Sequence, residues 1–222
     1  MDWSAFRLSL ELAFWTCALL LPVGILVGRA LAWRTFPGKA FVDALIALPL
    51  VLPPTVLGFY LLVGFGKASW AGQIYEIVLG GPLVFSFAGL VVASMIFNLP
   101  FVVQPIQRAF AAVDPTIREA AWCCGLSRWR TFLRIEAPLA WPGILSALVL
   151  TFAHTLGEFG VVLMVGGNIP DETRTIAIAI YDRVQAFDDE AAGAMAALLL
   201  VFSFAAIGLV NLLSSRVGRR HA

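Results

Sequence analysis

Long runs of apolar residues alternate with shorter polar stretches along this chain. A bilayer is crossed by a helix of about 20 mainly apolar residues, and five of the runs reach that length. We place the predicted spans at residues 10–32, 41–65, 84–105, 141–165 and 192–214. The pattern therefore predicts an all-α integral membrane fold, with residues 1–222 forming a single transmembrane domain.

The composition indicates the same class. Hydrophobic residues make up 60% of the chain and charged residues 13%, whereas soluble domains have about 45–50% apolar and about 25% charged residues. The first apolar run follows no basic segment and precedes no clear cleavage site, so we expect a retained helix. Cys17, Cys123 and Cys124 lack metal-ligand spacing and are interpreted as small apolar side chains.

The basic residues predict an orientation, because they are concentrated in alternate connecting segments. One side carries Arg29, Arg34, Lys39, Arg108, Arg118, Arg128, Arg130, Arg134, Arg216, Arg219 and Arg220, and the other carries Arg7, Lys67, Arg174 and Arg183. Cytoplasmic loops hold an excess of Lys and Arg. We therefore expect the N-terminus outside, and segment 106–140 and the C-terminus in the cytoplasm.

Prolines recur inside the predicted spans, and Pro53 and Pro54 are adjacent in the second one. Each proline removes a helix hydrogen bond and bends or breaks the helix. In lipid this is tolerated where neighbouring helices or a water-lined cavity satisfy the freed carbonyls. Two interpretations remain open: packing kinks, or flexible helices beside a transport path.

The segment 106–140 is predicted to form two short helices joined by a turn. Asp114 is suited to cap the first helix, with Pro115 at its first position. Gly125 is suited to end it in a left-handed conformation. Ser127 is suited to cap the second helix, and we expect Pro138 to stop that helix before the fourth span.

The second of these helices places Trp129, Phe132 and Leu133 on one face, and Arg128, Arg130 and Arg134 lie beside them. A basic amphipathic helix next to a membrane can lie on anionic lipid. It can also dock a protein, because Trp and Arg dominate interface hot spots. The residue pattern alone leaves both interpretations open.

The residues Glu119, Ala120, Ala121, Gly125, Ile135 and Pro138 have the spacing of the signature loop of bacterial ABC importer permeases, which this segment resembles. The segment departs from that pattern at Ala137, where the family usually has Leu. The resemblance implies a type I importer permease whose loop forms a coupling helix in a cleft of an ATPase subunit. The implied coupling residues are Glu119, Ala120, Ala121, Gly125, Ser127, Trp129, Arg130, Phe132, Ile135 and Pro138.

No phosphate-binding loop of the G-x-x-x-x-G-K-[ST] type occurs in the sequence. Nothing in the sequence can hold nucleotide phosphates in that way, so we expect the energy source to be another chain. We also expect no catalytic residue, metal or cofactor on this chain. ATP and Mg²⁺ are expected on the partner ATPase subunit.

In the fourth predicted span, Thr151, His154, Thr155 and Glu158 share one helix face. A polar stripe in an apolar helix faces a bundle interior or a water-filled cavity. It can also serve only as hydrogen-bonding glue between helices. The candidate residues of a translocation path are Pro53, Pro54, Asn98, Thr151, His154, Thr155 and Glu158.

Residues 48–58, 155–160 and 167–176 closely resemble molybdate ABC transporter permeases, and the resemblance extends from about residue 7 to residue 215. At His154 the chain departs from the Arg that close relatives often carry. The resemblance implies import of a tetrahedral oxyanion, molybdate first, with sulfate, thiosulfate or tungstate as alternatives.

The same resemblance implies the partners and the location of the protein. It implies a homodimer in the bacterial inner membrane, surrounded by lipid, with two ATPase subunits, an extracytoplasmic binding protein and no nucleic acid. A secondary transporter would need coupling-ion sites and usually inverted repeats. No repeat is visible in the sequence, so this possibility and a partner-independent channel are the distant alternatives.

Overall fold

The computed structural model describes the backbone of residues 1–218 and the side chains of residues 1–208. The helices are α1 (Trp3–Trp33), α2 (Lys39–Val51), α3 (Pro54–Phe65), α4 (Trp70–Leu79), α5 (Phe87–Ala111), α6 (Pro115–Cys123), α7 (Arg128–Thr131), α8 (Ala137–Leu156), α9 (Gly160–Gly166), α10 (Ile176–Gln185) and α11 (Asp189–Gly218). A π-helical turn, Phe132–Glu136, joins α7 to α8. The side chain of Arg216 and the whole of Arg219 and Arg220 lie outside the described part.

Four continuous helical segments are long and apolar enough to cross a bilayer. They are Trp3–Trp33, Phe87–Ala111, Arg128–Leu156 and Asp189–Gly208. Helices α2 and α3 together also meet this test, although they are bent by 112° relative to each other. The described residues therefore contain four candidate spans, or five if the bent pair counts as one.

The second predicted span, 41–65, is not one continuous helix, and the prolines explain why. Leu52 and Pro53 both adopt extended ψ values, 134° and 136°, between the two helices. A residue before proline is disfavoured in the helical region, and Pro53 and Pro54 each follow such a position. Pro54 then starts α3, where the missing N–H costs nothing. The double proline thus separates two helices.

The centre of the fold is the packing of α1, α5 and α8 against one another. Their shared cluster includes Leu20, Val102, Ile106, Phe110 and Ile144, all buried. A second cluster packs α9 and α10 against α1 and α5, and a third joins α3 to α5 and α9. Helix α5 takes part in each of these three clusters and packs on α1, α2, α8 and α9, so it is the central helix of the described residues.

Several predicted boundaries differ from the structure. Helix α5 extends to Ala111, so the predicted loop 106–140 begins later than expected. The connections after α3 and after α9 contain helices of their own, α4 and α10. These two helices are ten residues long, which is too short for a membrane span and explains why a search for apolar runs overlooked them.

The contact between α1 and α5 yields a first testable prediction, because it depends on Gly24. A Cβ atom at this position would overlap Cγ1 of Val102, a branched side chain with little freedom to move. We expect Gly24→Ala to lower the free energy of unfolding by about 1–3 kcal/mol. Thermal unfolding of the purified protein in detergent measures this.

Gly64 in α3 is the matched control, because a Cβ there meets nothing within 4 Å. Gly64→Ala should leave stability unchanged or raise it by up to about 1 kcal/mol, since alanine favours helix. Equal unfolding temperatures for the two variants would show that close packing at Gly24 does not hold α1 on α5.

Candidate coupling surface and buried polar cluster

The first helix of the connecting segment, α6, has the caps that the sequence predicts. Asp114 accepts a hydrogen bond from the backbone N–H of Thr116 at 2.9 Å. This hydrogen bond holds the pKa of the Asp114 carboxyl below its ordinary value. At the other end Gly125 has a φ of 81°, and the N–H of Leu126 bonds to the carbonyl of Ala121 at 3.1 Å. The chain therefore turns sharply between α6 and α7.

The second helix differs from the prediction, because Pro138 does not end it. Helix α7 continues through the π-helical turn into α8 without a break in helical backbone. In the π turn the N–H of Ala137 bonds to the carbonyl of Phe132, five residues earlier. Pro138 lies just after the π turn, inside this continuous helical stretch. A local π-type adjustment is one way in which a membrane helix accommodates the N–H that proline lacks. Helix α7, which belongs to the predicted coupling segment 106–140, is therefore continuous with α8.

The predicted coupling residues differ in exposure. Glu119, Ala120, Gly125, Ser127, Trp129, Arg130 and Pro138 are exposed, Phe132 and Ile135 are half-buried, and Ala121 is buried. The Trp129 side chain is 64% exposed. Its ring lies 5.4 Å from that of Phe132, which lies 6.3 Å from that of the core residue Phe110. A row of aromatic rings therefore connects the surface of α7 to the core.

Glu136 is the centre of an ion-pair network that the sequence analysis overlooked. Its carboxylate is fully buried and accepts from Arg29 Nε at 2.5 Å and Arg29 Nη2 at 3.2 Å. Arg118 Nε lies 3.1 Å from the same carboxylate, and its guanidinium stacks 3.7 Å from the centre of the Trp33 ring. The network ties α1 and α6 to the start of α8.

The sequence alone indicates for Arg29 and Arg118 only a role in the orientation of the chain. One signal of their role was available in the sequence, since Glu136 is the single acidic residue within the basic stretch 127–138. An isolated acidic residue beside several arginines at a membrane boundary is a candidate for pairing. The identity of its partners depended on the packing of α1 against α8, which the pattern does not give.

A buried polar cluster lies where α5 meets the end of α8. Ser94 Oγ donates to Glu158 at 2.5 Å, and Asn98 Nδ2 donates to the other carboxylate oxygen of Glu158. Asn98 Nδ2 also donates to Thr155 Oγ1 at 3.1 Å. His154 Nδ1 lies 3.0 Å from Asn98 Oδ1 and 3.7 Å from Glu158. Asn98 therefore contacts each of the other polar residues predicted here except Thr151.

The helix-face prediction is wrong for Glu158, because α8 ends at Leu156. Glu158 lies in the short break before α9, which begins at Gly160. A Cβ on Gly160 would lie 2.9 Å from Pro54 Cβ, so glycine allows the bent α2–α3 pair to approach this break. The carboxylate still reaches the cluster, but from a loop rather than from the helix face.

A cavity of about 540 Å³ opens beside the cluster. Pro54, Phe97, His154 and Glu158 line it, with Thr55 and four residues around the α8–α9 break. The His154 ring stacks on Phe101 with ring centres 4.0 Å apart, and its side chain is 29% exposed. Asn98, Thr151 and Thr155 are buried and do not line the cavity, and Pro53 lies at the exposed bend.

The comparisons with known proteins agree with this architecture. The family model described as "Binding-protein-dependent transport system inner membrane component" matches residues 21–219. The chain belongs to this family, and it is a multi-pass membrane component of a transport system. The resemblance to ABC importer permeases that the sequence suggested is confirmed.

Two relatives and one solved structure show how far the similarity extends. The "Molybdenum transport system permease protein ModB" of Azotobacter vinelandii is 50% identical over 97% of this chain and 94% of its own length. The "Probable sulfate transport system permease protein cysT" of Zygnema circumcarinatum is 34% identical over 90% of this chain and 71% of its own length.

The solved structure is a chain of a bacterial ABC transporter involved in the import of the acidic polysaccharide alginate. It matches with a TM-score of 0.78 at 18% identity, over 96% of this chain and 78% of that one. At this level of identity the match concerns the fold alone. It confirms the prediction of an all-α importer permease fold.

Proposed function

We propose that this chain is the permease subunit of an ATP-driven importer of a tetrahedral oxyanion, and that the oxyanion is molybdate. The observation that carries the choice of cargo is the 50% identity, over nearly the whole chain, to a permease described as a molybdenum transport protein. Sulfate is the second candidate, supported by the 34% identity to a permease described as a probable sulfate transport protein.

The assembly that we propose contains two copies of this chain, two ATPase subunits and one extracytoplasmic binding protein. The described residues of one chain offer at most five spans, and a closed two-fold pair is the commonest way to complete such a structure. The Arg-rich side of the chain faces the cytoplasm in this arrangement. ATP and Mg²⁺ bind to the ATPase subunits.

The exposed coupling surface around Trp129 docks in the ATPase subunit in this proposal. Closure of the two ATPase subunits on ATP moves this surface. Because α7, the π turn and α8 are continuous, the displacement passes directly into a membrane helix that packs on α1 and α5. The α2–α3 bend and the α8–α9 break lie at the other end of this element, where the anion passes.

The chain itself need not hold the anion tightly. The cavity-lining side chains include one carboxylate, Glu158, which repels an anion, and one imidazole, His154. A site of this kind permits passage without retention. Affinity and selection among tetrahedral oxyanions therefore belong to the binding protein, where fixed hydrogen-bond donors distinguish the anions.

The cargo is tested by uptake in proteoliposomes that hold the complete transporter, with its ATPase inside and its binding protein added outside. Radiolabelled molybdate should accumulate only with ATP, and excess unlabelled tungstate or molybdate should compete where sulfate and thiosulfate do not. Preferential uptake of sulfate would indicate that sulfate, and not molybdate, is the transported anion. Uptake that does not require ATP but is abolished by an uncoupler would indicate a secondary transporter.

His154 yields a testable prediction within this proposal. Its ring is the cavity-lining group able to carry a positive charge, and it stacks on Phe101 while contacting Asn98. We expect His154→Ala to slow ATP-driven uptake about 10-fold, since it removes both the attraction for the anion and the fixed orientation of Asn98. Affinity at the separate binding protein should be unchanged in calorimetry.

His154→Gln separates the two contributions, because the amide can bond to Asn98 but carries no charge. If charge matters, both variants lose uptake. If only the contact matters, the glutamine variant keeps most of it. An unchanged uptake rate in both variants would remove His154 from the path.

A further inference from the structure

A second cavity, of about 610 Å³, lies at the Arg-rich end of the fold, between α1, α6 and α7. Its lining includes four arginines, Arg29, Arg34, Arg118 and Arg128. None of the described lining residues is acidic. The buried carboxylate of Glu136 pairs with two of the four arginines, Arg29 and Arg118, so the cavity keeps an excess of positive charge.

The remaining walls are aromatic and aliphatic. Trp33, Trp122, Trp129 and Phe132 contribute rings, and Leu26 and Ala30 contribute apolar surface. The indole Nε1 of Trp33 is buried and has no hydrogen-bond partner among the described residues. A cavity with this lining suits a ligand that has an anionic group and an apolar portion.

The position of the cavity indicates where such a ligand comes from. Leu26, Arg29, Ala30 and Trp33 belong to the end of α1, and Arg34 directly follows it. Helix α1 is long and apolar enough to span a bilayer. At 1.5 Å per residue, Leu26 lies about 12 Å along the helix from Arg34. Leu26 is 63% exposed. The cavity thus extends from the charged surface toward the acyl region.

We propose that this cavity binds the headgroup of an anionic phospholipid of the cytoplasmic leaflet. The phosphate lies among Arg34, Arg118 and Arg128, and the upper part of an acyl chain lies along Leu26. Basic cavities between helices on the cytoplasmic side recognise anionic headgroups in this way. Bound lipid would fill the space between α1 and the coupling segment, and so brace α6 and α7 against the membrane.

The proposal is tested with the assembled permease–ATPase complex in vesicles that contain brominated phosphatidylglycerol or brominated phosphatidylcholine. The bromine atoms quench tryptophan fluorescence, and competition with unlabelled lipid gives the relative affinity. We expect a preference for phosphatidylglycerol that weakens with rising salt. Arg34→Gln should lower this preference about five-fold, because one cation near the surface is removed.

Lys39→Gln is the matched control, since Lys39 begins α2 on the same side of the membrane but does not line the cavity. It should leave the preference close to that of the unmodified protein. Loss of the preference to the same extent in both variants would indicate a general surface effect and overturn the proposal.

Two further outcomes also contradict it. Inorganic phosphate or molybdate in solution, added at millimolar concentration, could abolish the quenching difference; this would assign the cavity to a soluble anion. The preference could be present in the permease alone and absent in the complex; this would assign the cavity to the ATPase contact. A preference that survives in the complex, resists soluble anions and depends on Arg34 supports the lipid site.

Discussion

Replacement of Trp129 by alanine should abolish most ATP-driven uptake while the permease still folds and inserts. Trp129 is the largest exposed apolar side chain on α7, and its ring packs on Phe132 rather than in the core. Its removal therefore takes away contact area for a partner without creating a cavity inside the chain. Truncation of a tryptophan hot spot costs about 2 kcal/mol or more of binding.

A loss of this size corresponds to about a 30-fold weaker contact with the ATPase subunit. In the homodimer that we propose, both contacts with the ATPase subunits are weakened, so ATP-driven uptake should fall by at least about 30-fold. The measurement is ATP-driven uptake in proteoliposomes, together with the affinity of the detergent-purified permease for its ATPase subunit. ATP hydrolysis by the free ATPase subunit is the internal standard.

Trp70→Ala serves as the control, because Trp70 is also highly exposed but begins α4, in the connection after α3. This variant should retain uptake.

Gly125→Val tests the same surface differently, since a β-branched residue at a φ of 81° is strained and displaces α7 relative to α6. Normal uptake by both the Trp129 and the Gly125 variants would refute the coupling role.

The class of the fold was readable from the sequence because a bilayer imposes a simple rule. Each span must satisfy its backbone hydrogen bonds internally and present apolar side chains. Helices α1, α5 and α11 obey that rule, and the apolar runs locate them, although α1 begins seven residues before its predicted span and α5 ends six residues after its own. The caps of α6 were also predictable, since Asp114, Pro115 and Gly125 act through local backbone geometry.

Breaks inside apolar runs were less predictable. The double proline indicated a bend at residues 53–54, but not that two separate helices result. The break between α8 and α9 contains no proline, and it depends on Gly157, Gly160 and the approach of Pro54. Hydropathy does not register such a break, because the residues on both sides remain apolar.

The polar cluster was likewise predictable only in part. Periodicity drew attention to His154, Thr155 and Glu158, which lie in the cluster, although Glu158 reaches it from a loop. The Thr151 hydroxyl is buried but has no hydrogen-bond partner among the described residues. Ser94 was overlooked, because a single serine in α5 has no distinguishing pattern. Its role depends on which face of α5 meets α8, and this is a property of tertiary packing.

The ion-pair network around Glu136 leads to the prediction with the largest expected effect on stability. We expect Glu136→Gln to leave Arg29 and Arg118 facing each other without a compensating charge. Breaking a buried ion pair by removal of one partner costs about 3–5 kcal/mol. Because the two arginine side chains remain 31% and 16% exposed, solvent screens part of this repulsion, and we expect about 3 kcal/mol.

For a chain of this length a loss of 3 kcal/mol corresponds to a decrease in Tm of about 6–12 °C. Thermal unfolding of the detergent-purified permease measures it. Glu11→Gln is the control, since Glu11 pairs with Arg7 at 2.7 Å on an exposed helix surface, and such pairs contribute at most about 0.5 kcal/mol. A similar small effect for both glutamine variants would mean that Glu136 does not stabilise the fold.

A second substitution separates repulsion from general disruption. In an Arg29→Gln background, Glu136→Gln leaves one arginine instead of two, so the loss of stability on changing Glu136 should be clearly smaller than in the unmodified protein. If the two losses simply add, the side chains do not interact and the network is incidental. If the two losses are not additive, the side chains interact and Glu136 joins α1 and α6 to α8. A movement of α6 and α7 must then also move the end of α1. Uptake by the double variant then shows whether this link is needed for transport as well as for stability.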